Sequence, residues 1–345
     1  MIFLAIGGYI LLALGIVFLS DKLSYYVDQL DKKTTISGAF LGGVLLAAVT
    51  SLPELFTSLS ATIFIHEREL VVGNILGSNL FNLLIIGLAI LIFFKNYKTN
   101  KIEFKTHFIV FGGLAIIYGL MTYGLLALDK YQPAVGPINF ICVLILIVYG
   151  LTVFFQPKEK ESNNEEDDKK EQDVCSLSVK QIIVRFTIFA LLLIGVSILI
   201  TYVTDYIGDY FALSSTVGGA IFLAVATSLP ELVSTLSLCK RGNFNAGLGD
   251  IIGSCLFNFC IIGLSEFMSY DGSLLIRNNK EAIIMNFATI IVLIFLFFSL
   301  LIRYLFDKKK LDKSTKTPLW QNIFHIVTGV VLIAGYFVFL ILSMV

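Results

Sequence analysis

The hexapeptide TSLPEL occurs twice, at residues 50–55 and 227–232, each time inside an otherwise unbroken apolar run. A carboxylate and a proline in such a stretch set conditions on any fold, because the charge has to be compensated and the helix has to break. Pro53 and Pro230 have no N–H, and their rings crowd the carbonyl four residues back, so the Val49 and Ala226 carbonyls lose their helical partners. Thr50, Ser51 and Glu54 then share one turn, and Thr227, Ser228 and Glu231 present the same set.

The surroundings decide which solvent that chain meets. Of its 345 residues 57% are hydrophobic and 14% charged, with a mean hydropathy of +0.87, which belongs to a lipid-embedded protein. Lipid offers no hydrogen-bond partners, and apolar runs of about 20 residues satisfy their backbone as helices. The fold class expected is an all-α integral membrane protein. Ten spans are read at 2–20, 36–65, 70–94, 106–127, 134–156, 180–203, 214–238, 244–268, 280–305 and 319–344. The first run has no basic n-region or small-residue cleavage site and is read as a retained span.

Basic residues orient the array. With the N-terminus outside, 21 of the 25 Lys and Arg fall in inside segments, and only Arg68, Lys130, Arg277 and Lys280 remain outside. The reading is a multi-pass plasma-membrane protein with both termini extracellular. A net charge of zero, spread over loops without aromatic interleaving, gives no nucleic-acid surface. The cysteines 142, 175, 239, 255 and 260 include no CxxC pair and are read as small apolar residues. His66, His107 and His325 lie at or near span ends without clustering, so no histidine metal site is expected.

One charged stretch, residues 157–179, reads as a cytoplasmic linker between two five-span halves, 1–156 and 180–345. The acidic run at 165–168 is taken as part of that solvated linker rather than a Ca²⁺ sensor. TSLPEL repeats across the linker at an offset of 177 residues, and GNILGSNLFN (73–82) matches GDIIGSCLFN (249–258) at 176. Five crossings per copy invert the second half, the plan in which transporters build a midplane site from interrupted helices.

Oxygen stripes at i, i+4, i+8 follow each broken span: Asn74, Ser78 and Asn82, then Asp250, Ser254 and Asn258. Gly73, Gly77, Gly249 and Gly253 are expected to let these helices approach closely. The whole is an all-oxygen set around two carboxylates, whose charge one Ca²⁺ or more than one Na⁺ would neutralise, making the ions alternative occupants. Asp250, where the repeats differ in charge, has two readings: an interhelical hydrogen-bond acceptor, or part of the inward access path, where it raises local cation concentration.

The paired motifs resemble the two α-repeats of the calcium/cation antiporter superfamily, most closely its sodium/calcium exchanger branch in the form without a large regulatory domain. The resemblance implies antiport of Na⁺ against Ca²⁺ by alternating access, with no cofactor, no catalysis and no obligate protein partner. Glu54 and Glu231 would be shared ligands. Thr50, Thr227, Ala47 and Ala224 would supply carbonyl oxygens, Ser51, Ser228, Ser78 and Ser254 would ligate Na⁺, and Asn82 and Asn258 would stand in the central site. Val49 and Ala226 replace the glycine common before the Thr-Ser pair, and the Asn258 amide stands where potassium-dependent relatives carry Asp. A proton-coupled or potassium-dependent antiporter remains an alternative. A channel lacks a reason for a neutralised midplane trap, and an intramembrane hydrolase built on Ser51 or Ser228 lacks a histidine base.

Overall fold

The computed structural model describes residues 2–33, 46–99, 104–126, 134–135, 138–156, 177–270, 272–309 and 319–343. The beginning of the second span, most of the linker (including Cys175 and the acidic run) and residues 310–318 lie outside the described residues.

Thirteen helices account for nearly all of the described chain: α1 (Ile2–Lys33), α2 (Leu46–Thr50), α3 (Leu52–Ile65), α4 (Arg68–Ile92), α5 (Phe94–Thr99), α6 (Phe104–Leu126), α7 (Phe140–Phe155), α8 (Val179–Tyr210), α9 (Ser215–Thr227), α10 (Leu229–Lys240), α11 (Phe244–Met268), α12 (Lys280–Lys309) and α13 (Leu319–Ser343). Seven are long and apolar enough to cross a bilayer, α9 with α10 makes an eighth span bent by 48°, and α3 and α7 are shorter apolar helices. With α2 joined to α3, these form ten rods.

Differences at the ends have local causes. Hydropathy ends the first span near Asp21, but the helix runs on to Lys33 with Leu23 and Tyr26 buried. The fifth span begins at Phe140 rather than 134, because Asn139 caps it by accepting the Ile141 N–H at 2.9 Å. Before it, Ala134–Val135 and Ile138–Asn139 pair as two short antiparallel strands, β1 and β2.

Helices α4 and α11 form the centre: 78% and 72% of the residues in their most apolar stretches are buried, against 17% for α1 and α8. Packing is reciprocal. The broken α2–α3 rod lies against α11, the broken α9–α10 rod lies against α4, and α1 and α8 pair on the outside.

Close approach of α4 to α9 depends on glycine. A Cβ on Gly73 would lie 2.1 Å from the Thr216 carbonyl oxygen, and one on Gly77 would lie 2.6 Å from the Ala220 Cα. The second copy differs: a Cβ on Gly249 would meet only His107 Cε1, at 3.6 Å, among the described residues. Opposite Gly73, residues Gly219–Leu223 of α9 form a π-helical turn. Such turns interrupt the i→i−4 ladder. Tyr9 Oη donates to the Phe222 carbonyl at 2.8 Å, and Tyr336 Oη donates to the Ala220 carbonyl at 3.3 Å.

Two charged side chains are buried, one of them read from the sequence as belonging to a polar end. Arg303, assigned to an inside segment, sits within α12, stacked 4.2 Å over the Tyr97 ring with Nη2 donating to the Tyr97 carbonyl. Glu266 of α11 accepts the N–H groups of Asn139 and Leu274, each at 2.8 Å, and ties the start of α7 to the loop after α11.

Candidate functional site

Both broken rods break at the serine of TSLPEL. Ser51 has φ −90°, ψ 12° and Ser228 has φ −88°, ψ 6°, outside the helical well, and each becomes the N-cap residue of the following helix. The spacing Ser-x-x-Glu is that of a capping box, in which the hydroxyl would normally satisfy an N–H of its own helix. Neither serine does so. Ser51 Oγ donates instead to Glu231 Oε1 at 3.1 Å, and Ser228 Oγ donates to Glu54 Oε1 at 3.1 Å. The two halves exchange their caps.

This exchange places both carboxylates at the centre, in the first turns of α3 and α10, where unsatisfied N–H groups favour negative charge. Glu54 is 1% exposed and Glu231 is fully buried. One oxygen of each is held by the opposite serine, while Oε2 of each has no hydrogen-bond partner among the described residues. A buried carboxylate oxygen left unpaired is costly unless a cation or a donor reaches it. Among the described residues no group of three His, Cys, Asp or Glu side chains is poised to hold a metal. A metal ion at the centre would therefore draw on hydroxyl, amide and carbonyl oxygens besides the two carboxylates.

The remaining predicted residues fall into two groups. Among the described residues both polar side-chain atoms of Asn82 and the Ser254 hydroxyl are buried without a hydrogen-bond partner. Others are engaged. Thr227 Oγ1 donates to the Leu223 carbonyl at 3.0 Å, and Ser78 Oγ donates to the Ala224 carbonyl at 3.5 Å. That Ala224 carbonyl also accepts the Ser228 N–H at 3.0 Å. Thr50 is buried at the end of α2, and Ala47 holds on α2 the place that Ala224 holds on α9. Asn258 Nδ2 donates to Asn79 Oδ1 at 2.9 Å, leaving its own Oδ1 without a partner. Asp250 is buried, and its Oδ2 takes hydroxyl contacts from Ser234 and Thr235.

Asn79 escaped the sequence reading. It is fully buried where α4 crosses α11: Nδ2 donates to Tyr118 Oη at 3.2 Å and to the Cys255 carbonyl at 3.3 Å. Thr57, Ser58, Ser234 and Thr235 were also missed, although they stand at equal offsets one turn beyond each glutamate and bond to Asn74 and Asp250. Their common spacing from TSLPEL was the available signal.

The crossed caps make a specific prediction. Losing a hydrogen bond to a charged group costs about 1.5–3 kcal/mol. Ser51→Ala should therefore lower thermal stability. In a double-mutant cycle its loss should couple to Glu231→Ala and be additive with Glu54→Ala. Coupling to Glu54 instead would mean that the serine caps its own helix.

Ten helical rods, two broken at a buried serine–glutamate pair, define a polytopic membrane protein with a paired-carboxylate centre. The chain belongs to the family described as sodium/calcium exchanger protein, whose model matches residues 4–158 and 181–345. It is thus a multi-pass membrane transporter of the calcium/cation exchangers and not an enzyme. It is 27% identical over 301 residues to the sodium/calcium exchanger MaX1 of Methanosarcina acetivorans, covering 75% of this chain and 82% of that protein. It is also 27% identical over 252 residues to the inner membrane protein YrbG of Escherichia coli, covering 72% and 74%. Among solved structures, the H⁺/Ca²⁺ exchanger CAX superposes with a TM-score of 0.63 at 14% identity, covering 99% of this chain and 90% of that one. The sodium-calcium exchanger NCX_Mj gives 0.53 at 23%, covering 97% and 99%. At these identities both likenesses speak for the fold.

Proposed function

We propose that the chain exchanges Na⁺ for Ca²⁺ by alternating access, the ions competing for one midplane site at Glu54 and Glu231. The observation that carries this reading is the crossed pairing, with one oxygen of each carboxylate anchored by the opposite half and the other free. An all-oxygen centre with two fixed charges suits hard cations, and one Ca²⁺ or two Na⁺ balance it formally. Ser254 and Asn82 supply free oxygens nearby, and Thr50, Thr227, Ser51, Ser228, Ser78, Asn258 and the carbonyls of Ala47 and Ala224 complete the candidate set. The engaged ones exchange a protein partner for an ion on loading. The likeness to MaX1, named as a sodium/calcium exchanger, supports Na⁺ as the coupling ion.

In this reading the two halves, 1–156 and 180–345, share the site equally, the linker is cytoplasmic, both termini are extracellular, and one chain suffices. The basic-residue bias supports that orientation. Ca²⁺ flux in proteoliposomes under separately imposed Na⁺, H⁺ and K⁺ gradients tests the assignment. A Na⁺ gradient should drive Ca²⁺ uptake, and a K⁺ gradient should add nothing, because Asn258 offers an amide. Uptake driven by a pH gradient alone would replace Na⁺ by H⁺ as the coupling ion.

More than two Na⁺ per Ca²⁺ would leave the loaded site positive. Transport would then respond to membrane potential at about 2.3 kcal/mol per elementary charge per 100 mV. Ca²⁺ flux indifferent to a potential clamped with valinomycin would establish neutral exchange.

A further inference from the structure

Asn74 and Asp250 occupy equivalent positions in the two halves, and their hydrogen bonds run in different senses. Asn74 Nδ2 donates to Thr57 Oγ1 at 3.1 Å and to Ser58 Oγ at 3.0 Å. Thr57 Oγ1 passes its own proton to the Pro53 carbonyl at 2.8 Å. The same hydroxyl lies 3.2 Å from the Glu54 carbonyl, so the chain runs from side-chain amide to hydroxyl to backbone carbonyl.

In the second half Ser234 takes the place of Thr57 and Thr235 that of Ser58. Ser234 Oγ lies 3.2 Å from the Glu231 carbonyl and 2.5 Å from Asp250 Oδ2, and Thr235 Oγ1 lies 3.1 Å from the same carboxyl oxygen. A serine hydroxyl owns one proton, and here one of its two neighbours is a carboxyl oxygen, whereas Thr57 faces only backbone carbonyls as acceptors. The contacts run in the same direction as in the first half, side chain to hydroxyl to backbone carbonyl, when Asp250 Oδ2 itself carries a proton and donates it to Ser234.

The surroundings favour that arrangement. Asp250 is 7% exposed, and its Oδ1 has no partner among the described residues, which an ionised carboxylate tolerates far less well than a neutral carboxyl. No ion pair to Asp250 occurs among the described residues. The titratable groups around it are Glu231 and Cys239 on α10, His107 on α6 beside Gly249, and, on the adjacent α3, Glu54. None of these is a permanent cation. A metal ion would need about six oxygens in place of the two hydroxyls present, whereas a proton needs one acceptor.

We propose that Asp250 is a proton-binding site distinct from the glutamate pair, holding a neutral carboxyl that donates to Ser234. Loss of this proton adds a third negative charge beside Glu231, so protons oppose Ca²⁺ binding without sharing its ligands. Only that consequence rests on the antiporter reading; the protonation itself does not.

Infrared difference spectroscopy on the full-length protein in lipid nanodiscs tests it without any transport measurement. At neutral pH the wild type should show the carbonyl stretch of a protonated carboxyl, and Asp250→Asn should lose it. Ser234→Ala should move the band to higher frequency, since the acid loses its acceptor, and this variant serves if Asp250→Asn does not fold. Raising the pH should remove the band and tighten Ca²⁺ binding, measured with Ca²⁺ alone, more in wild type than in Asp250→Asn. A carboxyl spectrum unchanged by both substitutions would overturn the proposal. So would an Asp250 carboxylate band that answers to Na⁺ and not to pH, which would make this a metal site.

Discussion

Glu54→Gln and Glu231→Gln are each expected to abolish Ca²⁺ transport while the protein still folds and inserts. Each carboxylate supplies half of the fixed charge a divalent ion needs, and glutamine keeps the shape without the charge. Folding should survive because the contact from the opposite serine, 3.1 Å in both cases, is made to an oxygen that the amide retains. Removing a buried carboxylate that pairs with a desolvated cation costs about 3–5 kcal/mol, or about two to four orders of magnitude in affinity. Ca²⁺ uptake by reconstituted variants under a Na⁺ gradient, beside a size-exclusion profile for folding, measures both halves of the expectation. Near-wild-type uptake in both variants would remove the glutamates from the site.

The second large effect is one of assembly. Gly73→Ala would put a methyl carbon 2.1 Å from the Thr216 carbonyl oxygen and within 2.9 Å of two further backbone atoms of that residue. Backbone cannot rotate aside as a side chain can, so α4 must separate from α9 and the half-sites lose their register. Overpacking of this kind costs about 1–3 kcal/mol and more where nothing yields, and the variant is expected to lose most of its folded yield. Gly112→Ala is the control, because among the described residues no atom beyond its own stretch of helix lies within 4 Å of its added carbon and alanine favours a helix by about 0.5–1 kcal/mol. Thermal unfolding in detergent should rank Gly112→Ala at or above wild type and Gly73→Ala far below. Equal stability of the two variants would mean that α4 and α9 are not so closely apposed.

Much of this was legible because duplication acts as an internal control. A lone buried glutamate is ambiguous, but TSLPEL and its image, each followed by a small-residue polar stripe, fix which helices break and which residues converge. What stayed hidden depends on contacts between the halves, which spacing within one half does not encode. Ser51 carries the local signature of a cap for its own helix, yet its proton goes to Glu231 on the other repeat. Asn79 was passed over because its counterpart is Cys255, so it did not read as part of a repeated pattern. Helix ends misled for a simpler reason. Hydropathy reports where lipid stops, whereas the backbone ladder of α1 continues past Asp21 and Lys22 as long as side chains such as Leu23 and Tyr26 find cover.

The meeting of Asn79 with Cys255 marks where the two halves touch through corresponding positions: the Asn79 amide reaches the Cys255 carbonyl, and the Cys255 Sγ lies 3.8 Å from the Asn79 carbonyl. Two separate identical chains crossing here would be obliged to present the same residue twice, asparagine to asparagine or thiol to thiol. A single continuous chain is free of that obligation. Its mirror position can pair a long polar side chain with a small one, and Asn79 spends the room so gained on reaching both Tyr118 and Asn258. Covalent fusion thereby lets the crossing point itself become unequal, and a machine made of like halves acquires a built-in left and right.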